Sequence, residues 1–165
     1  MNMKFSSTNE LKNYILTHSQ VAVEKAREKV ALVINHFLSE FYKEFDPDVY
    51  ERTEQLLNSL IKTDVVSTAN GWVAKVYFDL NELDYSWKLV NGQRVEKKNW
   101  SHIGDTNSDE QVLETAMIGD YPHGGYKGAS GNTQIWIESM KILNKNGIKM
   151  LKEELIRAGI PVKYK

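Results

Sequence analysis

The side chains with the widest chemical range in this sequence are His102, Asp105, Asp120 and His123, all between positions 101 and 131. Imidazole nitrogens and carboxylate oxygens are the donors that a divalent cation takes, and two of each fill a tetrahedral shell. The spacings are symmetric, His102-x-x-Asp105 and Asp120-x-x-His123. Such a shell would support a metal-dependent hydrolase or nuclease. Neither half matches a motif with a known mechanism, such as two histidines one helical turn apart with a glutamate base. Ligands on a glycine-rich loop also have to be ordered before they can bind. Solvated loop residues explain the four more simply, and the hydrolase stands as the alternative reading.

Two other chemistries are set aside on spacing. The run Tyr121-Pro122-His123-Gly124-Gly125-Tyr126-Lys127-Gly128-Ala129-Ser130-Gly131 has the glycines of a phosphate-cradling loop. It lacks the terminal Gly-Lys-Ser/Thr that opens a helix, and no buried parallel strand leads into it. A serine hydrolase is expected to show Gly-x-Ser-x-Gly, which is missing, and none of the four histidines stands out as a base. The chain has no cysteine, which removes disulfides, thiolate zinc sites, iron–sulfur clusters and thiol nucleophiles together.

The elements that must position any site are legible from periodicity. Ser7-x-x-Glu10 is a capping box ahead of Leu11, Tyr14 and Ile15, and predicts a short helix from about 8 to 17. Ser19 then caps a longer helix to about 45. Its apolar stripe is Val23, Ala26, Val30, Val33, Phe37 and Phe41, and Asp46-Pro47 ends it. Asn70-Gly71 and Asn91-Gly92 lie between β-forming runs, which predicts two hairpins and an antiparallel sheet of three or four strands. Residues 101–131 lose periodicity apart from a helical turn or two around 110–117. A last helix follows Asn132-Thr133, with Trp136, Met140, Leu143, Leu151 and Leu155 on one face. Asn146-Gly147 marks a place for a kink, and Gly159 with Pro161 closes the helix. The expected fold class is α+β: a long N-terminal amphipathic helix, a small antiparallel sheet built from hairpins, and a C-terminal helix. All of residues 1–165 are expected to form a single domain.

Size and charge narrow the function further. At 165 residues and 41% hydrophobic content the chain can bury a real core. The start MNMKFSSTNE reads as neither a secretory segment nor an anchor, and no run approaches the ~18 apolar residues of a membrane span. A soluble protein of a reducing cytosol is expected. The formal net charge is −1, without the basic excess of a phosphate-gripping protein. The charge is nevertheless uneven. Residues 1–60 carry 7 Lys/Arg against 9 Asp/Glu, residues 61–131 carry 7 against 10, and residues 132–165 carry 7 against 3. A nucleic-acid-binding module built on the basic last helix is therefore a third reading, although a solvated helix face accounts for the same charges. Tryptophans 72, 87, 100 and 136 fall on expected strands or the last helix and suit core and interface. On these grounds a binding or structural role is favoured over a catalytic one.

The stretch Phe45-Asp46-Pro47-Asp48-Val49-Tyr50-Glu51-Arg52-Thr53-Glu54-Gln55-Leu56-Leu57-Asn58-Ser59-Leu60 resembles the Y-x-P-x-x-Y-x-R-T-x-x-L-x-x-S segment of a phage family. These are the neck or tail-completion proteins of tailed bacteriophages, also described as minor capsid or head–tail joining proteins. Arg52, Thr53, Leu56 and Ser59 match, and Phe45 stands where the family usually has tyrosine. The resemblance implies a structural virion protein with no catalysis and no cofactor. It implies a homo-oligomeric ring, usually of six copies, between a head–tail connector or stopper and a tail tube or tail terminator. DNA would pass through without specific binding, and the protein would reside in the virion after assembly in the host cytoplasm. Arg52, Trp100, Tyr121, His123 and Tyr126 are the candidate interaction residues. The loop 101–131, with six glycines from Gly104 to Gly131, is expected to order against a neighbouring subunit or ring.

Overall fold

Two serines and a glutamate start the first helix. In the computed structural model, which describes residues 4–44, 55–82, 87–90, 93–96 and 135–163, helix α1 spans Thr8–Glu44. Ser7 is its N-cap, with the Glu10 amide donating to the Ser7 hydroxyl at 3.2 Å. The Glu10 carboxylate reaches back one residue further than a standard capping box and takes the Ser6 amide at 2.6 Å. The Ser6 hydroxyl donates to the same carboxylate oxygen, and that bond, followed by the one from the amide, holds the Glu10 carboxyl below the usual carboxylate range.

The break expected near Ser19 is absent, and α1 is one helix of 37 residues, about 55 Å at 1.5 Å per residue. Serine can cap a new helix only if the chain leaves helical dihedrals before it. Here the Ser19 hydroxyl instead donates to the Leu16 carbonyl three residues back, a bond compatible with an uninterrupted helix. His18 does the same with Tyr14, Nδ1–H donating to its carbonyl at 2.8 Å.

After α1 come α2 (Gln55–Asn58), β1 (Leu60–Lys62), β2 (Val66–Thr68), β3 (Gly71–Val73), β4 (Val76–Phe78), a 3-10 turn at Leu80–Glu82, β5 (Trp87–Val90), β6 (Gln93–Glu96) and α3 (Ile135–Arg157). The class is α+β, with a long first helix, hairpin-built antiparallel pieces and a closing helix. Among the described residues the strands do not merge into one sheet of three or four, as the two turn signals suggested. The described strands form three two-stranded pieces, β1 with β4, β2 with β3, and β5 with β6. Turn chemistry specifies each local pairing, whereas nothing in a turn selects which hairpins lie side by side.

The first hairpin also differs in its tip. Thr68 pairs with Gly71, so Ala69 and Asn70 form the two-residue loop, and Gly71 opens β3 at φ +128°. The Thr68 hydroxyl decides this register. It donates to the Gly71 carbonyl at 2.9 Å and accepts the Asn70 amide at 3.3 Å. The second hairpin has the register expected of its turn, Val90 opposite Gln93.

The chain divides into two compact units. The first comprises Met1–Ala31, Lys62–Val76 and Leu143–Lys165, and the second comprises Leu32–Ile61 and Tyr77–Ile142. In the second unit Ile34, Leu38 and Phe41 of α1 are buried, as are Leu56 and Ile135. Val30, Val33 and Phe37, which the α1 periodicity placed at the centre of the stripe, are only half-buried. The apolar band on α1 is broad, and its packing partners select which of two adjoining lines lies innermost. The same happens on α3. Trp136 and Leu151 are exposed, whereas Ile135, Ser139 and Glu154 are buried. The helix also runs through Asn146-Gly147 without interruption.

The segment carrying the phage resemblance is described from Gln55 onward. Ser59 is fully buried; its hydroxyl donates to the Leu56 carbonyl at 2.8 Å and its amide to the Gln55 carbonyl at 2.9 Å. Its own carbonyl accepts the Asp79 amide at 2.8 Å. Leu56 and Ser59 thus act as fold residues, closing α2 and launching β1, while Arg52 and Thr53 lie outside the described residues.

Candidate interaction surface

Within the first unit, one tryptophan fixes which way the first hairpin faces. The Trp72 indole N–H donates to the Leu16 carbonyl of α1 at 2.9 Å. Successive side chains on a strand point to opposite faces, so Trp72 and its partner Ser67 lie on one face and Val66 and Val73 on the other. Val66 and Val73 are directly paired and both exposed, which leaves an apolar cross-strand pair on the outer face.

Two charged clusters tie the hairpin base and α3 to α1 in the same unit. The Arg27 guanidinium donates to the Thr63 carbonyl at 2.6 Å and to Glu28 at 2.7 Å. Lys62 reaches the other Glu28 oxygen at 2.7 Å. The hydrogen bond from Lys62, followed by that from Arg27, lowers the Glu28 pKa. On α3, Glu154 is buried at 6% exposure and takes the Lys29 ammonium at 2.8 Å and the Arg157 guanidinium at 2.5 Å. A carboxylate this buried stays charged only because cations meet it. The Lys29 hydrogen bond is the main cause of its lowered pKa.

The sign of the pH dependence follows. A carboxyl whose native pKa is depressed adds stability above its unfolded pKa and loses it as pH falls through the lowered native value. Urea midpoints should therefore drop on acidification from about pH 5 towards about pH 2. Lys29→Met should cost on the order of 1–3 kcal/mol near neutral pH and flatten that acid limb, read by urea titration across the pH series. An acid limb identical in Lys29→Met and wild type would show that other carboxylates set it.

Aromatic contacts close the end of this unit. Tyr14 stacks on His18 with ring centroids 3.8 Å apart and packs on Phe5 at 5.2 Å. Its hydroxyl donates to the Gly159 carbonyl at 3.2 Å. Gly159 sits at φ +87° and ends α3 as expected from sequence. The Ile160 amide bonds to Leu155 and the Gly159 amide to Ile156, the paired bonds of a Schellman cap.

Arg52, Trp100, Tyr121, His123 and Tyr126 all lie outside the described residues, as do His102, Asp105 and Asp120 of the proposed metal shell and the whole 101–131 loop. Among the described residues no three His, Asp or Glu side chains converge as metal ligands. No described helix is long and apolar enough to cross a membrane. The sequence reading missed Lys29 as the partner of the buried Glu154; the one available signal was Glu154-x-x-Arg157 spacing on a helix. It also missed the exposed valine pair, because facing depends on the hairpin register.

Comparison with curated proteins and with solved structures finds no match. The model of the YomN family, which is phage-derived, matches residues 7–157, from the α1 cap to the last residue of α3. With nearly the whole described fold inside that match, this chain belongs to the YomN family.

Proposed function

We propose that the protein is a structural subunit of a tailed-phage particle, forming a neck or tail-completion ring that joins the head connector to the tail. The phage-derived family assignment carries this reading. The 37-residue α1 and the outward Val66–Val73 pair support it, since an assembly subunit keeps apolar surface for its neighbours. The near-zero net charge suits a ring that passes DNA without holding it. Six copies would meet head-to-tail, with a connector or stopper on one side and a tail tube or tail terminator on the other. The role is mechanical, with no reaction and no cofactor.

Disrupting the gene in the phage should leave full heads and free tails that do not join, seen by electron microscopy. Antibody or mass spectrometry should find the protein in purified wild-type particles. Joined particles in the mutant, or absence of the protein from purified virions, would reject the proposal.

A further inference from the structure

The first unit is basic although the chain as a whole is not. Among its described residues 12 Lys/Arg stand against 6 Asp/Glu, whereas the full chain has a formal net charge of −1. The excess is densest on α3. At about 100° per residue, Lys145, Lys149 and Lys152 fall in one stripe on its solvent side, opposite the buried Glu154. Lys145 and Lys149 are exposed and make no ion pair with any described residue. The two carboxylates of α3 in this unit, Glu153 and Glu154, both meet Lys29 of α1, at 3.6 Å and 2.8 Å. Glu153 lies one turn from Lys149 and could have paired with it. Its engagement with α1 leaves the stripe without a neutralising partner.

We infer that the outward side of α3 from Lys145 to Lys152 docks on the phosphate backbone of duplex DNA. Charge complementarity selects that occupant. The lysines recur at roughly 5 Å along the helix axis, so the partner has to carry negative charges at short, regular intervals, as a nucleic-acid strand does. An anionic membrane asks for one contiguous apolar face. The exposed Ile148 and Ile156 lie about 12 Å apart with Lys149 and Lys152 between them, so they do not form one. The stripe holds no aromatic side chain on which the bases of a single strand could stack. A lysine ammonium is a point charge, so the contact is with phosphate and blind to sequence. Contacts of that kind slide along a duplex, and DNA touched in this way still moves past. The inference rests on the charge distribution of the first unit and does not need the neck reading above.

The test is fluorescence anisotropy of a labelled random-sequence duplex of about 30 base pairs, titrated with the full chain between about 50 and about 300 mM salt. Wild type should bind at low salt, with the logarithm of affinity falling linearly against that of salt. Lys145→Gln with Lys149→Gln should weaken binding by about tenfold or more at the lowest salt and reduce the slope by about 2. Lys4→Gln with Lys12→Gln removes the same charge away from α3 and should leave affinity and slope nearly unchanged, as should Ile148→Ser. All five positions are exposed, so thermal unfolding should match wild type and separate lost contact from lost fold. No binding at the lowest salt, an unchanged slope in the α3 variant, or an equal loss in the Lys4 and Lys12 variant would overturn the inference. So would α3 and Ile148 variants that lose binding to phosphatidylglycerol vesicles while keeping wild-type affinity for DNA. Stripe-dependent DNA binding by a protein absent from virions would keep this inference and reject the neck role. Presence in virions without DNA binding would do the reverse.

Discussion

Leu38→Ala lowers the unfolding free energy by about 2–5 kcal/mol, while Leu32→Ala on the same helix changes it by no more than about 0.5 kcal/mol. The two substitutions delete the same atoms and exchange the same helix propensities, so burial alone separates them. Leu38 is 0% exposed in the second unit and Leu32 is 66% exposed. Truncating Leu38 forfeits the transfer energy of the side chain and leaves a cavity that close-packed neighbours fill only in part. Truncating Leu32 removes apolar surface that water already touches. For a chain of this length each kcal/mol moves the melting temperature by about 2–4 °C, so the Leu38 variant should melt roughly 5–20 °C lower. Differential scanning calorimetry on both variants checks this. Equal melting temperatures would mean that α1 does not pack through the Ile34–Leu38–Phe41 face.

The second large effect is a pair of glycine substitutions with opposite signs. Gly159→Ala should destabilise by about 1–3 kcal/mol, because φ +87° penalises an L side chain and the added Cβ would run into the Tyr14 hydroxyl. Loss of room there also disturbs the Tyr14 bond to the Gly159 carbonyl, which ties the end of α3 to α1. Gly147→Ala should stabilise by about 0.5–1 kcal/mol. Gly147 lies inside α3, and its Cβ would meet nothing within 4 Å. Urea titration of the two variants reads both signs. Destabilisation by Gly147→Ala would indicate that α3 bends or unwinds at Asn146-Gly147, as the dipeptide alone suggests.

These cases mark what the sequence determined by itself. Its local signals specified elements: the Ser7 cap, the hairpin centred near residue 70, the Val90–Gln93 hairpin register and the Gly159 stop are all satisfied by bonds spanning a few residues. Short-range chemistry is readable because both partners lie in one window of sequence. The phage affiliation was readable too, from the 45–60 segment, and the family match over 7–157 supports it at that level.

Tertiary structure decided the rest. Whether α1 breaks at Ser19 depended on a hydroxyl choosing a helix carbonyl over a cap. Which line of α1 lies innermost depended on what packs against it, since Ile34–Leu38–Phe41 and Val30–Val33–Phe37 are equally apolar. Glu154 reads as a solvated helix residue until Lys29, 125 positions away, meets it at 2.8 Å. The facing of Val66 and Val73 followed from contacts distant in sequence, among them the bond from Trp72 to Leu16. Periodicity tells a helix or strand that it has two sides, and only the partner brought up by folding settles which side is buried.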